Sequence, residues 1–107
     1  MTKREPETAE LRRLRQRINA LDRRIVGLLN ERAELAREVG RAKAALGRRA
    51  IRDGDREREV LLRVTMANQG PLAQPDLLAL YRRLRAATRA LAAQDRDRAA
   101  ARTDDVD

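Results

Sequence analysis

An apolar repeat running from residue 9 to residue 46 governs what this chain can fold into. Leu11, Leu14, Ile18, Leu21, Ile25 and Leu28 follow one another in steps of three and four, and the pattern resumes at Leu35, Val39, Ala42 and Leu46. Such steps return to one face of a 3.6-residue helix, with Arg, Glu and Asp on the other faces. Thr8 is placed to cap the N-terminus through its hydroxyl, and Glu7 and Glu10 suit the positive end of the dipole. Gly47 marks the stop. Gly27 and Gly40 lie inside, each costing roughly 1 kcal/mol against Ala, which predicts close packing there. A helix of about 38 residues is roughly 57 Å long, whereas a compact globule of this size has a radius of gyration of about 13 Å. The helix therefore overhangs any monomer, its stripe continues along the overhang, and a second copy of the chain is the simplest cover. A plain antiparallel coiled-coil dimer without an active site is the bland alternative.

The remainder is shorter in period. Residues 47 to 55 carry no clear repeat and read as a loop. A second helix is expected from about Asp55 to Asn68, with Val60, Leu61 and Val64 inward, ended by Gly70-Pro71. Pro75-Asp76 opens a third, since Pro is favourable in a first turn, and Leu77, Tyr81, Leu84, Thr88 and Leu91 form its stripe. Residues 1–7 and 95–107 carry no apolar stripe and are expected to be disordered, leaving a helical domain over 8–94. The fold class is all-α: one long and two shorter helices per chain, with a second copy of the chain expected against the long one.

Composition removes most chemistries. The chain has 107 residues, enough for one domain, with no Cys, no His and one aromatic residue, Tyr81. Disulfides, thiolate nucleophiles and the commonest general base and metal ligand are therefore excluded. No apolar run approaches the ~20 residues of a membrane span, and the first residues lack the apolar stretch of a secretory signal; a cytoplasmic protein is expected. The net charge of +8 favours an anionic partner. Nucleic acid is one candidate, disfavoured because the Arg residues alternate with Glu, Asp and Ala and stacking aromatics are missing. A small polyanionic metabolite is drawn by the same field.

Several polar residues stand in apolar places. Counting on from Leu28, the seam reaches Arg32 among Leu29, Leu35 and Ala36, and a guanidinium there must find an anion. Lys43 lies eleven residues on, roughly 16 Å along and ~20° around the helix, so the two cations share a face. Asp53 and Glu57 are four apart, on one side of a continuing turn, with Arg56 beside them. Thr88 is polar on the third stripe. Each has a structural reading as well: a partner-chain Glu for Arg32, the helix dipole for Lys43, capping by Asp53 or Asp55, and a bond from Thr88 to its own helix.

The run Leu14-Arg15-Gln16-Arg17-Ile18-Asn19-Ala20-Leu21-Asp22 resembles the opening of the all-helical chorismate mutases. The likeness continues through Leu28-Leu29-Asn30-Glu31-Arg32-Ala33-Glu34-Leu35-Ala36, Val39-Gly40-Arg41-Ala42-Lys43, Ile51-Arg52-Asp53, Arg56-Glu57-Arg58 and Leu80-Tyr81-Arg82, covering about residues 8 to 94. The resemblance implies an intertwined dimer with two equivalent active sites and the Claisen rearrangement of chorismate to prephenate, on the way to phenylalanine and tyrosine, a reaction for which no metal or cofactor is expected. It implies that Arg32 and Arg15 of the other subunit bind the two substrate carboxylates. Lys43 would contact a carboxylate and the ether oxygen. Asp53 and Glu57 would meet the ring hydroxyl, Arg56 would line the site, and Thr88 stands where the family often has Ser beside a carboxylate. One turn after Thr88, where better-known members carry Gln or Glu, this chain has Ala92, with Gln94 nearby. Relatives that rearrange 4-amino-4-deoxychorismate, or cleave isochorismate to salicylate and pyruvate, are the alternative activities. Some short members are activated by a partner enzyme.

Overall fold

The computed structural model describes residues 7–47 and 54–104. Three helices follow in order: α1, Ala9–Ala45; α2, Gly54–Ala67; and α3, Gln74–Asp104. No strand occurs among the described residues. The all-helical reading of one long helix followed by two more therefore holds, with α1 and α2 within about a residue of their expected bounds.

Local chemistry sets the ends. The Leu11 backbone N–H donates to Thr8 Oγ1 at 3.1 Å and the Arg12 N–H to the Thr8 carbonyl at 3.0 Å, so Thr8 is the N-cap. At the other end of α1, the Gly47 N–H donates to the Ala44 carbonyl at 3.0 Å, and Gly47 takes a φ of 75°, a left-handed conformation that L side chains resist. Asn68 organises the link from α2 to α3. Its Oδ1 accepts from the Gly70 N–H at 2.9 Å, and its Nδ2 donates to the Leu72 carbonyl at 3.1 Å and to Gln74 Oε1 at 2.7 Å. The third helix begins one residue before Pro75.

The chain divides after Leu35 into two units. The first holds most of α1 and no other element. Its apolar seam lies open: Ile18, Leu21, Ile25 and Leu28 are each 50–60% exposed, and α1 has no buried residue. The second holds the end of α1 with α2 and α3, and α2 packs on α3. Val60 is the one buried residue among the described residues, flanked by half-buried Leu61 and Val64. Leu77, Tyr81, Leu84, Thr88 and Leu91 are all half-buried, which is the stripe expected for α3.

Three expectations are corrected. α3 does not stop near Gln94 but continues to Asp104, so residues 95–104 are helical rather than a disordered tail. The segment is rich in Ala and Arg, strong helix formers that need no apolar stripe to propagate a helix already begun, and Asp95 is tied down by an ion pair with Arg37. Close packing does not explain the α1 glycines within the chain: a Cβ at Gly27 or Gly40 would meet nothing within 4 Å. The expected loop at 47–55 is helical from Gly54 onward.

Candidate active site

The candidate residues divide between the two units. Arg15 and Arg32 belong to the first; Lys43, Arg56, Glu57 and Thr88 belong to the second. Asp53 lies outside the described residues.

Arg15 is exposed on the N-terminal part of α1, where its guanidinium pairs with Glu7, just ahead of the cap. Arg32 is half-buried on a helix whose neighbouring seam leucines are open. In the second unit, the shielded positions of α1 are Ala36, Arg37, Gly40 and Lys43. At about 100° per residue these form one stripe, with Ala36 and Gly40 near its centre and Arg37 and Lys43 at its two edges, roughly 120° apart. Lys43 therefore sits on a shielded side of the helix rather than on the open apolar seam. It also lies in the last turn, where the dipole favours a cation.

The α2 residues behave differently. Glu57 is half-buried, whereas Arg56 is exposed and pairs with Glu59 at 3.3 Å. Glu59 accepts from Arg63 Nη2 at 2.9 Å and Nε at 3.2 Å; these bonds, followed by Arg56, hold its carboxyl below the usual carboxylate range. Asp55 pairs with Arg58 on the same helix. These exposed pairs support α2 locally and contribute little to stability.

Thr88 is half-buried, and its hydroxyl donates to the Leu84 carbonyl at 3.0 Å. The structural reading of this residue is therefore present: its one proton is committed to its own helix. A ligand carboxylate would need the hydroxyl to rotate away from that bond. Ala92, one turn on, is half-buried, and Gln94 is exposed.

Sequence reasoning missed one feature near these residues. Arg37 and Asp95 form a two-pronged pair, Nε to Oδ2 at 2.9 Å and Nη2 to Oδ1 at 2.8 Å. The Arg37 bond lowers the Asp95 carboxyl below its ordinary range, opposed by desolvation and aided by the nearby charges of Arg37, Arg41 and Arg98. No local pattern links positions 58 residues apart. The available signal is that Asp95 lies seven residues after Thr88, on nearly the same face of α3.

Among the described residues no cluster of acidic side chains could hold a metal ion, and no helix is long and apolar enough to cross a membrane.

A family model described as chorismate mutase type II matches residues 14–93. The bifunctional chorismate mutase/prephenate dehydratase of Escherichia coli (strain K12) is 55% identical over 51 residues, 48% of this chain and 13% of that protein. The protein of that name from Stutzerimonas stutzeri is 37% identical over 89 residues, 79% of this chain and 24% of that protein. The chain thus spans a quarter or less of the length of these relatives. Among solved structures, chorismate mutase (form II) from Thermus thermophilus superposes with a TM-score of 0.73 at 31% identity, covering 78% of this chain and 93% of that one.

Proposed function

We propose that this chain, which belongs to the chorismate mutase type II family, converts chorismate to prephenate as a cytoplasmic homodimer with two shared active sites, its catalytic domain spanning residues 8–94. The observation that carries this reading is the extent of the family match: residues 14–93 take in Arg15, Arg32, Lys43, Asp53, Arg56, Glu57 and Thr88 together. The open seam of α1 supports the dimer, because a row of half-exposed Ile and Leu side chains on a lone helix demands a cover.

The chemistry suits a chain without His or Cys. The rearrangement is unimolecular: one C–O bond breaks as one C–C bond forms, with no nucleophile and no net proton transfer. Two levers accelerate it. One is holding the substrate in its compact diaxial conformer, which converts lost freedom into rate. The other is a fixed cation where negative charge grows on the ether oxygen. Arg32 and Arg15 of the partner subunit grip the two carboxylates, their forked geometry fixing direction as well as place. Lys43 supplies the cation at the ether oxygen. Asp53 and Glu57 take the ring hydroxyl, Arg56 lines the site, and Thr88 accompanies a carboxylate once its hydroxyl leaves Leu84.

Purified protein should consume chorismate with formation of prephenate, and a side-by-side assay with 4-amino-4-deoxychorismate and isochorismate separates the neighbouring activities. Failure to convert chorismate, combined with conversion of either analogue, would reassign the substrate. Failure with all three, together with duplex or single-strand binding that weakens steeply with salt, would favour a basic helical nucleic-acid binder.

A further inference from the structure

We propose that Arg37 and Asp95 are positioning residues: their bond fixes the roll of the end of α1 about its own axis and thereby the bearing of Lys43. The inference rests on the reading of Lys43 given above.

Both partners belong to the second unit, as do Lys43 and Thr88. The bond joins α1 to α3 and is two-pronged at 2.8 and 2.9 Å, with side chains only 27% and 25% exposed. The pairs Arg58–Asp55 and Arg63–Glu59 along α2 leave theirs 47–87% exposed. An exposed pair within one helix adds little, whereas a shielded guanidinium–carboxylate pair that engages both carboxylate oxygens adds direction.

Direction is what this part of α1 lacks. Its shielded stripe is Ala36, Gly40 and two long cations. Ala and Gly offer no knob that would resist rotation, and a Cβ at Gly40 would meet nothing within 4 Å. The next apolar side chains, Leu35, Val39 and Leu46, are more than half exposed. Apolar packing within one chain therefore leaves the roll of this segment loosely set; the second copy proposed above would cover the side of Leu35, Val39 and Leu46, and Arg37 supplies the stop on the shielded stripe, through α3. Lys43 stands at the opposite edge, about 120° round. A roll of about 10° moves a group at roughly 6 Å from the helix axis by about 1 Å, and a 1 Å misplacement can cost up to about 10²-fold in rate. On α3, Asp95 shares the Thr88 face, two turns on. The bond thus ties the helix that carries the cation to the face that carries the hydroxyl.

The test compares Asp95→Asn, Arg37→Met and the exchanged double variant Arg37→Asp/Asp95→Arg with the parent protein and with Lys43→Ala. Chorismate turnover is measured over a range of substrate concentrations, and backbone hydrogen exchange is followed at residues 36–45. Each single variant should lose about tenfold in kcat, with KM changed less than about threefold. Exchange at residues 36–45 should rise, and the double variant should recover most of the loss. A merely structural pair would lower the melting temperature without moving kcat at an assay temperature where the protein is folded. Parent-like kcat in Asp95→Asn, beside an inactive Lys43→Ala, overturns the proposal and leaves the function intact. If the parent converts no chorismate, the function fails; the brace is then decided by exchange, which rises in Asp95→Asn if the pair holds this segment and stays at the parent rate if it does not. If the single variants are unfolded, a folded double variant decides: parent-like kcat supports the brace, and loss of kcat overturns it.

Discussion

Leu28→Ala should weaken the dimer about a hundredfold without unfolding the helix. Leu28 is 60% exposed on the α1 seam, and that exposed share is what a second copy can cover. Leu→Ala removes three carbons, worth roughly 2.4 kcal/mol at ~0.8 kcal/mol per buried methylene; the exposed share is then about 1.4 kcal/mol per chain. A two-fold dimer contains the substitution twice, giving about 2.9 kcal/mol, or two decades in Kd. Leu and Ala are both good helix formers, so α1 itself should persist. Sedimentation equilibrium at several loading concentrations reads the dissociation constant directly, and far-ultraviolet circular dichroism reads helix content. Arg63→Ala, an exposed change on α2, serves as the control and should leave association unchanged. An unaltered Kd for Leu28→Ala would show that the open seam is not the surface the second copy covers, and the dimer would need another interface.

Mixing two inactive variants tests whether the sites are shared. Arg15→Ala and Lys43→Ala each spoil both sites of their own dimer, but a mixed dimer keeps one intact. Random exchange should restore about a quarter of the parent activity, since half the dimers are mixed and each holds one good site of two; no recovery after subunit exchange would refute the sharing. Acid should dissolve the Arg37–Asp95 tie. The Asp95 carboxyl is held below its ordinary range in the fold, so its stabilisation is fully present above the unfolded value of about 3.9 and is lost as pH falls through the lower folded value. The melting-temperature gap between the parent and Asp95→Asn should therefore close in acid, and a gap constant down to pH ~2 would contradict the assignment. Thr8→Ala removes the hydroxyl that caps α1 and should cost about 1 kcal/mol in denaturant titration; a change near zero would show that the cap is not engaged in solution.

Periodicity made the helices legible. The steps of three and four from Leu11 to Leu28, Thr8 before them and Gly47 after them define α1, and each signal acts within a few residues of where it is written. Val60 and the stripe from Leu77 to Leu91 were readable for the same reason. The end of α3 was not, because Ala and Arg carry helix propensity without an apolar stripe, and a search for stripes passes over them. The Arg37–Asp95 bond joins residues far apart in the chain, so no local pattern holds it. The candidate site was legible in part: Arg32, Lys43 and Thr88 stand out as polar residues in apolar surroundings and Glu57 by its four-residue spacing from Asp53, and each of the four is half-buried. Arg15 and Arg56 are exposed and pair with nearby carboxylates; nothing in their local patterning separates them from the other arginines, and only the order of motifs along the chain singles them out.

The most direct test of the account is the rate at which purified parent protein and Lys43→Ala form prephenate from saturating chorismate. The account predicts measurable turnover by the parent and a fall of about 10²–10³ in kcat for the variant, the loss expected when one preorganised donor to a developing oxyanion is removed. A folded Lys43→Ala protein that forms prephenate at the parent rate would contradict it.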